Sequence, residues 1–221
     1  MARDPSRFEL VNVADTCAIW NVLSSRLLYA TAKAAGCSFC CTRFVLYECL
    51  YKPRTNPTPE DRELQTRMRD ECDRGNISVH PLEIGDLQDV AVLENRKRLG
   101  KGELSSMAFA RKIRQAFLTD DQGARKLAAE VIDREKVQTT PHLFGWLIFH
   151  TRLGDGDKEG IIEEHKRFKR PLAPYFEEMY LKALQYRLMA TVPRRASASG
   201  AAGGQAGGGG QTSTTTGDSV E

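Results

Sequence analysis

The chain has 221 residues, a formal net charge of +3 and 41% hydrophobic residues, enough for one good-sized core and an extension. No run of about 20 apolar residues occurs, so no membrane span is expected, and Met-Ala-Arg-Asp-Pro at the start lacks the apolar core of a secretory signal. So small a net charge gives no bulk attraction to nucleic acid.

The six cysteines are Cys17, Cys37, Cys40, Cys41, Cys49 and Cys72. Four sit in apolar segments, where a reduced thiol behaves as a small hydrophobe. Cys37-x-x-Cys40 has no second Cys/His pair at ligand spacing, which argues against zinc. Free thiols fit a cytoplasmic protein.

In chain order, residues 8–14 (Phe-Glu-Leu-Val-Asn-Val-Ala) predict a strand, and 19–35 a helix stopped by Gly36. Cys37 to Cys41 predicts a buried strand, and Thr42 to Tyr51 a helix. Pro53, Pro57 and Pro59 then interrupt the pattern. Thr58-Pro59-Glu60-Asp61 has the form of a helix start, with Thr as N-cap and Pro at the first helical position. That helix runs to about 74, ahead of Gly75. Ile77 to Pro81 predicts a third strand, followed by helices over 86–99 and 102–114, split by Gly100-Lys101-Gly102-Glu103. Next come a strand over 116–119, a helix over 122–133, a weak strand over 137–139 and a helix over 141–153. Helices over 157–168 and 173–189 close the patterned region.

Strands alternating with helices imply an α/β fold with a mainly parallel sheet and helices on both faces. Such a sheet is covered on both sides, which is why its strands read as continuous apolar runs. Residues 193–221 hold no aromatic residue and no large aliphatic one except Val220. That composition predicts a flexible tail. The expected organisation is a domain over 1–170, an additional helix within 171–192 and the tail.

Acidic residues fall where such a sheet collects its ligands. Asp15 directly follows the first strand, and Asp120 and Asp121 follow the fourth. The carboxyl ends of parallel strands line the ligand crevice, so both strands deliver acids to one rim if they are neighbours. One Asp would serve as a helix N-cap; the second has no such role. Glu48 shares its helical face with Phe44, Val45 and Tyr51, a face that should be apolar. Glu103 opens its helix on the side of Met107 and Ala110, where the helix dipole also tolerates an acid. Clustered carboxylates repel unless protonated or neutralised by a cation. Hard oxygen ligands at this density suit Mg²⁺ or Mn²⁺, and such a site activates water for attack on a phosphodiester.

The ordered set "VADTCAIWNVL", "FVLYECLYK", "GKGELSSMAFARK" and "FLTDDQGARKLA" resembles the PIN domain, and "VQTTPHLFGWLIFHTRLG" is similar to the last strand and helix of bacterial members. The resemblance spans about residues 8–170. It implies a three-layer fold with a parallel five-stranded sheet and a metal-dependent ribonuclease acting on single-stranded RNA. Asp15, Glu48, Glu103 and the Asp120/Asp121 pair would be its catalytic and metal-binding acids, with Mg²⁺ or Mn²⁺ as cofactor. Either aspartate of the pair fits the last position. Thr16 would hold a metal-bound water or act as a plain N-cap. Many bacterial members are VapC-type toxins, which makes an antitoxin and a second copy of the chain candidate partners. The added segments at 52–76 and 173–189 depart from the compact toxin form.

Arg96, Lys97, Arg98 and Lys101 lie directly before Glu103, the useful place for contacts to RNA phosphates. Lys166, Arg167, Lys169 and Arg170 form a second basic run, and Phe168 within it either stacks on a base or packs inward. The competing readings are a catalytically silent domain that binds RNA or protein, and a flavodoxin-like ligand binder with incidental acids.

Overall fold

Five strands form one sheet: β1 (Val11–Ala14), β2 (Ser38–Thr42), β3 (Ile77–His80), β4 (Ala116–Leu118) and β5 (Val137–Gln138), in the order β3-β2-β1-β4-β5. Every pairing is parallel. The structure, a computed structural model, describes residues 4–96 and 99–191. The predicted tail over 193–221 lies outside them.

Among the described residues, ten α-helices accompany the sheet: α1 (Thr16–Ser24), α2 (Arg26–Ala34), α3 (Arg43–Leu46), α4 (Pro59–Asp73), α5 (Ile84–Arg96), α6 (Lys101–Ile113), α7 (Gln122–Val131), α8 (Thr140–Phe149), α9 (Asp155–Arg167) and α10 (Ala173–Thr191). Side chains alternate along each strand, so successive residues serve different layers. Ala14, Phe39, Cys41 and Leu118 join a core with α1, α2, α4, α8, α9 and α10. Val13, Cys40, Phe117 and Val137 join a second core with α5, α6 and α7. The result is the three-layer α/β/α arrangement expected from the alternating pattern.

Several elements differ from the sequence reading. β1 begins at Val11 rather than Phe8, because Phe8 leaves the ladder to stack on Trp146, ring centroids 5.6 Å apart. The helix predicted over 19–35 is two helices. The backbone turns extended at Ser25, and the Ser25 hydroxyl accepts the Leu28 N–H at 3.1 Å, starting α2 anew. After α3 the chain winds into a π-helical segment, Tyr47–Tyr51, which carries Glu48. By contrast α4 starts as predicted, with a Thr58–Asp61 capping box and Pro59 in the first turn.

α10 shares the first core. Its Phe176 is fully buried, edge-on to Phe144 of α8 at 5.1 Å. Gly145 of α8 lets Met179 approach so closely that an added Cβ would lie 2.8 Å from Met179 Cε. None of the described helices is long and apolar enough to cross a membrane.

Candidate metal and catalytic site

β1 and β4 are hydrogen-bonded neighbours, with Ala14 opposite Leu118. The Asp15 N–H extends that ladder by donating to the Leu118 carbonyl at 3.1 Å. Chain order runs from β1 through β2 to β3 on one side and from β4 to β5 on the other. The switch point, where a parallel sheet opens its ligand crevice, therefore lies between β1 and β4. Asp15 and the Asp120/Asp121 pair are delivered there together.

Asp15 is fully buried and is the N-cap of α1: its Oδ1 accepts the Ala18 N–H at 2.8 Å. Its Oδ2 is buried, with the Thr119 hydroxyl as its one nearby donor and no well-formed hydrogen bond. Burial pushes the pKa of this carboxyl up to about 8. The nearby Thr119 hydroxyl and the Ala18 N–H pull against that rise, while the charges of Asp120 and Glu103 add to it.

Because Asp15 is the cap, Thr16 is not. Thr16 is the first residue of α1 and donates its hydroxyl to Glu48 Oε2. Glu48 Oε1 accepts the Gly102 N–H at 3.2 Å. Of the apolar face expected around Glu48, Val45 is buried, whereas Tyr51 is 65% exposed. The carboxylate thus lies at the edge of that face and spans from α1 to the start of α6.

Glu103 accepts the Gly100 N–H at 2.8 Å, half of the reciprocal pair a side-chain N-cap would complete. Burial raises its pKa, the Gly100 N–H lowers it, and the charges of Asp121 and Glu48 raise it further. Two buried hydroxyls fix α6 against the strand ends. Ser105 Oγ lies 2.7 Å from Thr42 Oγ1 at the end of β2, and Ser106 donates to the Ala14 carbonyl at 3.2 Å.

The double aspartate divides into two roles. Asp121 is the N-cap of α7, with Oδ1 accepting the Ala124 N–H at 2.7 Å. Asp120 reaches sideways instead. Its Oδ1 accepts the Thr140 N–H at 2.9 Å, and its Oδ2 accepts from Asn21 Nδ2 at 2.7 Å and from the Thr140 hydroxyl at 2.6 Å. It joins β4 to α1 and to the start of α8. Asn21 and Thr140 were absent from the predicted site. Asn21 did carry a signal, as a lone amide inside the apolar helix Thr-Cys-Ala-Ile-Trp-Asn-Val-Leu.

The five predicted acids are therefore electrostatically coupled at one end of the sheet: Asp15 with Asp120 and Glu103, and Glu103 with Asp121 and Glu48. Among the described residues, no group of three or more His, Cys, Asp or Glu side chains is arranged to hold a metal ion as it stands. The donor set nonetheless fits a hard divalent cation. The orphaned Asp15 Oδ2 is a buried oxygen among carboxylates that a cation would both pair and neutralise.

The basic residues predicted to contact RNA are only partly described. Lys97 and Arg98 lie outside the described residues, as does the side chain of Arg96, while Lys101 is exposed two positions before Glu103. Phe168 packs inward, 4% exposed, between the guanidinium groups of Arg67 and Arg167. The described cysteines are all free. Compared with models of protein families, with curated proteins and with solved structures, the chain matches none.

Proposed function

We propose that this chain is a divalent-metal-dependent endoribonuclease that hydrolyses phosphodiester bonds of single-stranded RNA. What supports the reading is that Asp15 and the Asp120/Asp121 pair follow neighbouring strands at the β1–β4 switch point, while Glu48 is hydrogen-bonded to Thr16 beside Asp15 and to Gly102 beside Glu103.

Asp15, Glu103 and Asp121 would hold Mg²⁺ or Mn²⁺, each with carboxylate lone pairs not taken by the protein. A bound ion of this kind supplies Lewis acidity at the phosphate and lowers the pKa of an attacking water. Glu48 is kept in place by the Thr16 hydroxyl and the Gly102 N–H, so its carboxylate is oriented before substrate arrives. Asp120 acts as a positioning residue, its oxygens engaged by Asn21 and Thr140. The toxin role and an antitoxin partner rest on the PIN resemblance alone.

One observation favours a second reading. Asp120 is engaged at both oxygens and no ready-made metal group is present among the described residues, as in a silent domain that binds RNA or protein without cutting. Incubating a labelled single-stranded RNA with Mn²⁺ separates the two. The nuclease cuts, and Asp15→Asn or a chelator abolishes cutting. An intact RNA that still binds the chain would sink the nuclease reading in favour of the silent one.

A further inference from the structure

The basic run at 166–170 is not a uniform charged surface. Lys166 pairs with Glu163 at 2.6 Å, and Arg167 pairs with Glu63 at 2.6 Å while lying over the Phe168 ring. Arg170 does neither. Its guanidinium has no hydrogen bond or ion pair among the described residues, and its Nε is buried.

The main chain at Arg170 packs close to the residues around Asp120. The Arg170 backbone N–H donates to the His165 carbonyl at 2.8 Å. The His165 ring lies 2.9 Å from the Asn21 carbonyl, and the Asn21 amide donates to Asp120 at 2.7 Å. The Cys17 thiol, next to Thr16, accordingly feels Asp15, Asp120, Asp121 and Arg170 at once.

A second guanidinium lies within electrostatic range of the first. Arg54 lies over the Trp20 ring of α1, 5.4 Å from its centroid, and pairs with Asp61 Oδ1 at 2.9 Å. Each of the two arginines depresses the pKa of the other's neighbour Asp61, and Arg54 repels the charge of Arg170. Asp61 Oδ2 is already taken by the Thr58 N–H and hydroxyl of the capping box. Asp61 pairs directly with Arg54 alone, which leaves Arg170 a half-buried cation with no direct ion pair among the described residues, near the acids that Cys17 also feels. A buried guanidinium without a counter-ion is costly, and its fork matches phosphate oxygens two at a time.

We propose that Arg170, with Arg54 within electrostatic range, is a phosphate-binding fork that grips the backbone of the single-stranded nucleic acid next to the acidic crevice. This rests on the nuclease reading for its substrate, but it concerns binding and not cutting. It also separates Arg170 from Lys166 and Arg167, whose charges are already satisfied.

The test is run in chelator, so that nothing is cut. Wild-type chain is treated with phenylglyoxal with and without a short single-stranded RNA, and modification of Arg170 is read by peptide mass spectrometry. RNA is expected to protect Arg170. Protection by both 5′-phosphorylated and 5′-hydroxyl RNA assigns an internal phosphate, and protection by the former alone assigns a strand end. Equilibrium binding over a range of KCl gives a second measure. Arg170→Gln should weaken binding about ten-fold and reduce the salt slope by about 0.7, the share of one single-strand phosphate. Lys166→Gln should leave the slope unchanged. Arg170 modified equally with and without RNA, or an Arg170→Gln chain with wild-type affinity and slope, overturns the proposal. RNA held through Arg170 but never cut with Mn²⁺ defeats the nuclease reading and leaves the fork standing. RNA that is cut while Arg170 stays unprotected does the reverse.

Discussion

Gly102 packs against the Glu48 carboxylate so tightly that no β-carbon fits between them. A Cβ built at Gly102 would collide with Glu48 Oε2 and come within 3.0 Å of Thr16 Oγ1. The same glycine donates its N–H to Glu48 Oε1. The Gly-x-Gly-Glu motif therefore carries a glycine where a second element's acid must dock, followed by an acid of its own.

That contact makes a double substitution informative. In a helix, Gly→Ala normally stabilises by about 1 kcal/mol, but overpacking costs about 1–3 kcal/mol. Gly102→Ala should be net destabilising in the wild-type chain. In a Glu48→Ala background, where the main obstruction is gone, the same change should be neutral or stabilising. Denaturant melts of the four proteins measure this. Equal effects in both backgrounds would show that Glu48 does not dock on Gly102.

The two adjacent aspartates should respond differently to loss of charge. Asp120 accepts three hydrogen bonds from Asn21 and Thr140. Hydrogen bonds to a charged group are worth about 1.5–3 kcal/mol each in favourable cases, so Asp120→Asn should lower stability by about 2 kcal/mol or more. Asp121 caps α7, and Asn caps as well as Asp. Asp121→Asn should therefore leave stability within about 0.5 kcal/mol of wild type while weakening Mn²⁺ binding in a calorimetric titration. A large stability loss for Asp121→Asn would place its main role in the fold.

Asp15 predicts the sign of a pH effect. Its folded pKa, about 8, lies above the value it has when unfolded. Between those values the folded chain holds a proton that the unfolded chain has released. Its contribution to stability is therefore complete in acid and is lost as pH rises toward 8, at up to about 1.4 kcal/mol per pH unit. Asp15→Asn, which cannot ionise, should lose this slope, and Mg²⁺ should raise the melting temperature of the wild type more at pH 8 than at pH 5.5. Melting curves across that range decide it. A slope unchanged in Asp15→Asn would assign it to another group.

At the joint between α8 and α10, Gly145→Ala would press on Met179 Cε at 2.8 Å and Met179 Cβ at 3.3 Å. The expected cost is about 1–3 kcal/mol, and Met179→Ala should relieve part of it. Thermal unfolding of the single and double variants checks this. A neutral Gly145→Ala would mean that α10 yields easily and adds little to the core.

The parallel α/β architecture was legible because its signals are local. The apolar runs Val-Asn-Val-Ala and Ala-Phe-Leu, the Thr58–Asp61 helix start and the stop before Gly36 each follow from neighbours within a turn or two. The sites of the acids were legible for the same reason: an Asp directly after a strand lies on the carboxyl edge of whatever sheet that strand joins. The break at Ser25 was missed because the apolar periodicity runs on through it while a single hydroxyl restarts the helix. The π-helical segment bearing Glu48 was missed because no local residue marks the change of pitch.

What each acid does was decided only by the tertiary structure. β1 and β4 lie about a hundred residues apart in sequence, and their pairing in register delivers Asp15 and Asp120 to the same end of the sheet. The same folding brings Asn21 to Asp120 across 99 positions and Gly102 to Glu48 across 54. Sequence by itself determined which residues carry charge, where strands end and how helices begin, because those depend on short-range sterics and hydrogen bonding. Which lone pairs are taken, which oxygen is left buried at Asp15 and which arginine lacks a partner at 170 depend on atoms supplied by distant segments, and only packing brings those together.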